Sequence, residues 1–176
     1  YYVRRYLGFF AGILSDDFNL VHGGGILYNG KGVLIVGGSK AGKSTLISEM
    51  QETGAKVIDD DMVMTDWNVM ERTCRSGHIT ANGHNSRSLV LHDDFYRCNV
   101  DYVVVLTRGM GLKASEYRQG STDGMAEVCF DSVLPESLFE QYSKKFTAPS
   151  PDLSIYYVGT TGPSSVSRDV IISLIS

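Results

Sequence analysis

Gly37-Gly38-Ser39-Lys40-Ala41-Gly42-Lys43-Ser44-Thr45 is the stretch on which the reading of the whole chain turns. It fits G-x-x-x-x-G-K-[ST], the phosphate-binding P-loop. Glycines let successive backbone N–H groups turn inward into an anion-binding nest, and the N-terminus of the following helix adds its positive dipole end. In this motif Lys43 reaches the β- and γ-phosphates and the Ser44 hydroxyl is a ligand for Mg²⁺. The flanks agree with the motif. Val33-Leu34-Ile35-Val36 precedes it as a buried strand would, and Thr45 to Met50 follows as a helix with Leu46, Ile47 and Met50 on one face. Gly54 stands where a C-terminal helix cap belongs.

Working outward, Asn29-Gly30-Lys31-Gly32 lies between apolar runs, and Asn-Gly in that setting is the strongest short hairpin signal. Ahead of it Asn19 to His22 and Gly25 to Tyr28 read as two short strands. The loop's own strand therefore has an antiparallel neighbour just before it in the chain. Beyond Gly54, Ala55 to Ile58 is a short strand ending in Asp59-Asp60-Asp61, and Met62, Val63, Met64 and Trp67 continue an apolar alternation. Residues 72–88 are rich in Gly, Asn and Ser and read mostly as loops. Tyr102-Val103-Val104-Val105-Leu106 is a strongly β-branched buried strand. A helix is expected from Pro135 through Leu138, Phe139, Tyr142 and Phe146, with Pro149 and Pro151 ending it. Leu153 to Val158 reads as a strand, and Gly162-Pro163-Ser164-Ser165 introduces a last helix bearing Val166, Val170, Ile171 and Leu174. Tyr1 to Ser15 carries the pattern of a short amphipathic helix. The expectation is one α/β domain over residues 1–176, a P-loop-containing mixed β-sheet with flanking helices.

Composition narrows the function classes. Hydrophobic content of 43% and charge of 20% are those of a water-soluble globular domain with a sizeable core. The formal net charge of −4 provides no basic footprint, so no nucleic-acid partner is expected. No apolar run approaches the ~18 residues of a membrane span, so no membrane partner is expected either. Cys74, Cys98 and Cys129 are widely spaced, without a C-x-x-C, which argues against disulfides and zinc and suits a reducing cytoplasm. The histidines (His22, His78, His84, His92) show no metal-ligand spacing. The sequence opens at Tyr1 without methionine, consistent with a missing initial segment, and no secretory signal pattern is visible.

What happens to a bound phosphate depends on a second element. Asp60 follows Lys43 by the span of one helix, a glycine cap and one short strand, which puts the aspartates at a strand's C-terminal end, where ligands bind in open α/β sheets. One carboxylate there can hold Mg²⁺ and an adjacent one can accept a proton from an attacking hydroxyl. Three adjacent carboxylates repel one another, which is tolerable beside a divalent cation.

His22-Gly23, the hairpin, Gly32 to Ser44 and Gly54-Ala55-Lys56-Val57-Ile58-Asp59-Asp60-Asp61 together resemble the catalytic domain of HPr kinase/phosphorylase. Its relatives, the lasso-peptide precursor serine kinases and more distantly the phosphoenolpyruvate carboxykinases, share this layout. The match covers about residues 20–65. The resemblance implies an HPr kinase/phosphoenolpyruvate carboxykinase-like fold, ATP and Mg²⁺ as cofactors, a protein or peptide phosphoacceptor and a hexameric homo-oligomer. Gly37 to Thr45 would cradle the nucleotide, with Lys43 and Ser44 on phosphate and metal. Asp60 and Asp61 would divide the catalytic-base and metal roles, and His22 would lie near the transferred phosphate. We take Asp60 as base and Asp61, with Ser44, on the metal. Lys40 replaces the family's second loop glycine, Asp59 stands where a small residue is usual, and the family's later acidic-Ile-Arg-Gly signature has no counterpart. Arg87, Arg108 and Arg118 are candidates for steadying transition-state charge, although each reads more readily as a surface residue, since long charged side chains are mostly exposed. The rival functions are a nucleotide-binding switch without an acceptor and a small-molecule P-loop kinase.

Overall fold

The computed structural model describes residues 17–73, 91, 94–108, 111–113, 115–123, 125–130 and 136–176. The amphipathic pattern at Tyr1 to Ser15, the Gly/Asn/Ser-rich run after Thr73 with Cys74 and Arg87, and Pro135 lie outside them.

The hairpin forms where the Asn-Gly signal puts it. Asn29 and Gly30 both take positive φ (50° and 76°), the left-handed pair that matches the twist of two-residue turns, and they join β1 (Asn19–Tyr28) to β2 (Lys31–Gly37). The two strands expected before the turn are one. β1 runs unbroken through Gly23-Gly24-Gly25, paired with β2 from Gly23–Val36 to Tyr28–Lys31. Glycine normally weakens a strand interior, but here side chains have no room. A Cβ on Gly24 would lie 2.0 Å from Ile47 Cδ1, and one on Gly23 would lie 2.6 Å from the Ile35 carbonyl oxygen.

Along its other edge β1 has two antiparallel partners in succession. Gly25 to Leu27 pair with β3 (Lys56–Asp59), and Asn19 to His22 pair with β4 (Met62–Thr65). Asp60 and Asp61 thus bridge two strands that follow the same edge, opposite Gly24 and Gly23. β4 turns into β5 (Val69–Arg72) through Trp67 at φ 70°, with Asp66 Oδ1 accepting from the Asn68 and Val69 amides at 2.9 and 2.7 Å. β6 (Arg97–Asn99) pairs with β5. On the far side of β2 the pairing is parallel, first β7 (Tyr102–Thr107) and then β9 (Ser154–Gly159), with β8 (Tyr117–Gln119) antiparallel at the edge. The described residues make one mixed nine-stranded sheet.

Helices cover both faces. α1 (Lys43–Glu52) and α4 (Ser164–Ile175) bury Leu46, Ile47, Met50, Ile171 and Ile175 against Ile26, Ile35 and Val104. On the opposite face α2 (Met125–Phe130) and α3 (Glu136–Lys145) set Met125, Cys129 and Tyr142 against Leu34, Val36, Val103 and Val105. Each fully buried aliphatic side chain contributes about 1.5–3 kcal/mol. Val103-Val104-Val105-Leu106 feeds both cores alternately, which is why β7 reads as a continuous apolar run. Tyr142 donates its hydroxyl to the Leu20 carbonyl at 2.6 Å, tying α3 to β1. α1 ends as Gly54 requires. Gly54 has φ 99°, its N–H reaches Gln51 O at 3.0 Å, and the Ala55 N–H reaches Met50 O at 3.0 Å. Among the described residues no helix is long and apolar enough to cross a membrane.

Candidate functional site

The glycine-rich loop expected to bind phosphate is the crossing from β2 to α1. Gly37, at φ 151°, closes β2 against β7, where a Cβ would sit 2.7 Å from the Leu106 carbonyl oxygen. Gly42, at φ 100°, is the N-cap of α1 and brings no side chain to its first turn. Ser39, Lys40, Ser44 and Thr45 are exposed along the loop and first turn, whereas Ala41 and Lys43 are buried. The Lys43 ammonium folds back and donates to the carbonyls of Gly37 at 2.8 Å and Gly38 at 3.2 Å. Those bonds shut the loop around a cation in the place where phosphate oxygens bind in this motif. Lys40 has φ 62°, the left-handed region that favours glycine. Its exposed side chain points the departure from the family pattern toward solvent rather than into the core.

The acidic turn is held level with the loop. Asp61 lies opposite Gly23, which itself pairs with Val36, one residue before the loop begins. The Gly23 N–H donates to the Asp61 carbonyl at 3.1 Å, and His22 Nε2 stands 3.8 Å from Asp61 Oδ1. His22 is 7% exposed, so its imidazole is enclosed at the strand edge rather than displayed. The register therefore brings His22, Asp60 and Asp61 within one or two interstrand spacings of ~4.8 Å from the start of the loop.

The three aspartates are not equivalent. Asp59 is 1% exposed, and its Oδ1 accepts the amides of Asp60 at 2.8 Å and Asp61 at 3.4 Å. It braces the turn from within, as Asx side chains do. Asp60 is buried and Asp61 half-buried. This gives the additional acid at Asp59 a physical purpose, since its carboxylate sets the backbone that carries the other two.

One residue of the site was not legible in the sequence. Arg72, at the end of β5, is buried, donating from Nε to Ile58 O at 2.6 Å and from Nη2 to Phe95 O at 3.0 Å. Its bond to Ile58 ties the end of β5 to the strand that delivers Asp59. Its only local signal is sharing strand parity with buried Met70, and the polar run that follows conceals it. Of the arginines singled out earlier, Arg118 lies over the Tyr157 ring at 5.3 Å on the edge strand, and Arg108 is exposed just after β7. Arg87 lies outside the described residues.

No cluster of three or more His, Cys, Asp and Glu side chains at metal-binding geometry occurs among the described residues. Mg²⁺ does not need one. It is ordinarily held by one or two protein oxygens with phosphates and water completing the shell, and the exposed Ser44 hydroxyl with the half-buried Asp61 carboxylate is a donor set of that kind.

A scan of the sequence against protein-family models finds no match, and a search of curated proteins finds none. The structure does match a solved one. It is similar to the HPr(Ser) kinase/phosphatase from Coxiella burnetii at a TM-score of 0.51 and 12% identity, covering 89% of this chain and 90% of that one. At this identity the likeness speaks for the fold, and it agrees with the mixed sheet and its flanking helices. The chain has an HPr kinase-like fold.

Proposed function

We propose that this chain is a cytoplasmic phosphotransferase that uses ATP and Mg²⁺ to phosphorylate a serine hydroxyl on a protein or peptide. The observation that carries the reading is the braced acidic turn level with the phosphate loop, one strand away from it. A metal-holding carboxylate is common to switches and kinases, but a second, adjacent one can accept the proton of an attacking hydroxyl, and this favours the kinase.

In this reading the amides of Gly38 to Thr45 receive the phosphate chain, and the Lys43 ammonium moves from the Gly37 and Gly38 carbonyls onto β- and γ-phosphate oxygens. Asp60 accepts the proton of the serine hydroxyl as the serine oxygen bonds to the γ-phosphorus, while the bond to the β,γ-bridging oxygen breaks and ADP leaves. Ser44 and Asp61 would hold Mg²⁺, which neutralises charge on the phosphates when bound. His22, whose Nε2 lies 3.8 Å from Asp61 Oδ1, would stand near the transferred phosphate and help to place that carboxylate. Asp59 and Arg72 keep the turn in register.

The test is incubation of the purified chain with γ-labelled ATP, Mg²⁺ and a serine-peptide array. Label on peptide serine is the expected result. Release of label only as free phosphate would instead make the protein a hydrolase or switch, and label on a small metabolite but on no peptide would make it a small-molecule kinase.

A further inference from the structure

On the side of the loop away from the acidic turn lies a cavity of about 270 Å³. Gly38 and Ser39 form its wall toward the loop, Leu106 and Arg108 come from the end of β7, Val128 from α2 and Tyr157 from β9. We propose that this cavity receives an apolar side chain of the phosphoacceptor, a neighbour in sequence of the serine that is phosphorylated. The inference rests on the kinase reading and specifies its substrate class.

Three observations carry it. The first is position. The Lys43 ammonium rests on the Gly37 and Gly38 carbonyls, and in this motif that ammonium serves the β- and γ-phosphates, so Gly38 marks the γ-end of the bound chain. A cavity walled by Gly38 and Ser39 opens beside the phosphate to be transferred. The nucleoside lies at the other end of the triphosphate. The second is size, because the volume is below the ~300–1,000 Å³ typical of pockets for whole small molecules, and suits one large side chain. The third is lining. Val105, Leu106, Val128 and Tyr157 make an apolar interior, while the charged side chains, Arg108 and Glu127, are exposed residues. An apolar side chain gains from such a cavity, and the two exposed charges of opposite sign remain available to the polar flanks of the same segment. The acidic turn on one flank and the hollow on the other then act on one peptide, with the serine between them.

The experiment is a positional-scanning serine-peptide library phosphorylated with γ-labelled ATP by the whole chain and by Val128→Phe, whose ring fills the cavity. The expected result is a preference of about tenfold for Leu, Ile, Met or Phe over Gly and Asp at one fixed position near the serine. That preference should be lost in Val128→Phe, with ATP affinity unchanged. Val128→Ala, which enlarges the cavity, should move it toward Phe and Trp, and this supplies the readout if the larger residue impairs folding. Labelling without positional preference, or a preference that both variants retain, would overturn the subsite while leaving the kinase reading intact. A tenfold loss of ATP affinity in Val128→Phe would assign the cavity to the nucleoside and overturn the proposal. Failure to label any peptide by a chain that binds ATP would overturn the serine-kinase reading itself, and the subsite with it.

Discussion

The two flanks of the phosphate loop are built in opposite ways. Toward β1 the sheet is antiparallel and filled. Gly24 admits Ile47 of α1 to the strand, Gly23 and Gly25 leave room for Ile35 and Met70, Asp59 braces its own turn, and His22 and Asp60 are enclosed. Toward β7 the sheet is parallel and the loop borders a hollow with exposed Arg108 and Glu127 beside it. Groups that must be placed to within a fraction of an ångström need a surround that cannot shift, and a flank that must admit a partner needs space. One loop borders both because its two neighbouring strands run in opposite directions and carry different packing.

Filling a space on each flank tests that contrast most strongly. Gly24→Val drives methyl groups at Ile47, which is wholly enclosed, and at the Asp59 carbonyl, 3.0 Å from a Cβ at this position. A loss of about 3 kcal/mol in unfolding free energy is expected from urea denaturation. Val128→Phe on the hollow flank should cost less than about 1 kcal/mol, and equal losses would erase the distinction. Next in size is Lys43→Ala, which removes the cation that closes the loop. ATP affinity measured by calorimetry should fall about 30-fold, the equivalent of about 2 kcal/mol for a charge-assisted bond. Tyr142→Phe removes a prop of the filled flank. Burial pushes the Tyr142 hydroxyl well above its ordinary value, so it stays a donor to Leu20 at any working pH. Its loss should cost about 1 kcal/mol with no change in ATP affinity. The smallest effect is expected from Lys40→Gly. Relief of a left-handed lysine, offset by the greater freedom of glycine in the unfolded chain, should stabilise by about 0.5 kcal/mol and leave nucleotide binding intact. A clear loss of ATP affinity in that variant would show Lys40 acting on the phosphates.

What the sequence made legible was local. The Asn29-Gly30 turn, the strand–loop–helix around Lys43 and the Gly54 cap each depend on a few adjacent residues, and each stands where the motif put it. What was hidden depends on distant partners. Gly23-Gly24 looked like a break between strands because glycine disfavours strands in isolation, and only Ile35 and Ile47, brought up by the fold, explain why β1 runs on through it. Asp59, Asp60 and Asp61 are one residue type in a row, so nothing local separates the brace from the two acids it positions. Arg72 gains its place from carbonyls at Ile58 and Phe95, neither predictable from its neighbours. β8 and α2, three and six residues long, are too short to carry a periodic signal.

The most direct test of the phosphotransfer reading is single-turnover transfer from γ-labelled ATP to a serine peptide by the whole chain and by Asp60→Asn. Removal of a general base should slow transfer at least ~100-fold, while ATP affinity stays within about twofold. Transfer at the original rate in Asp60→Asn would contradict the assignment of Asp60 as the base.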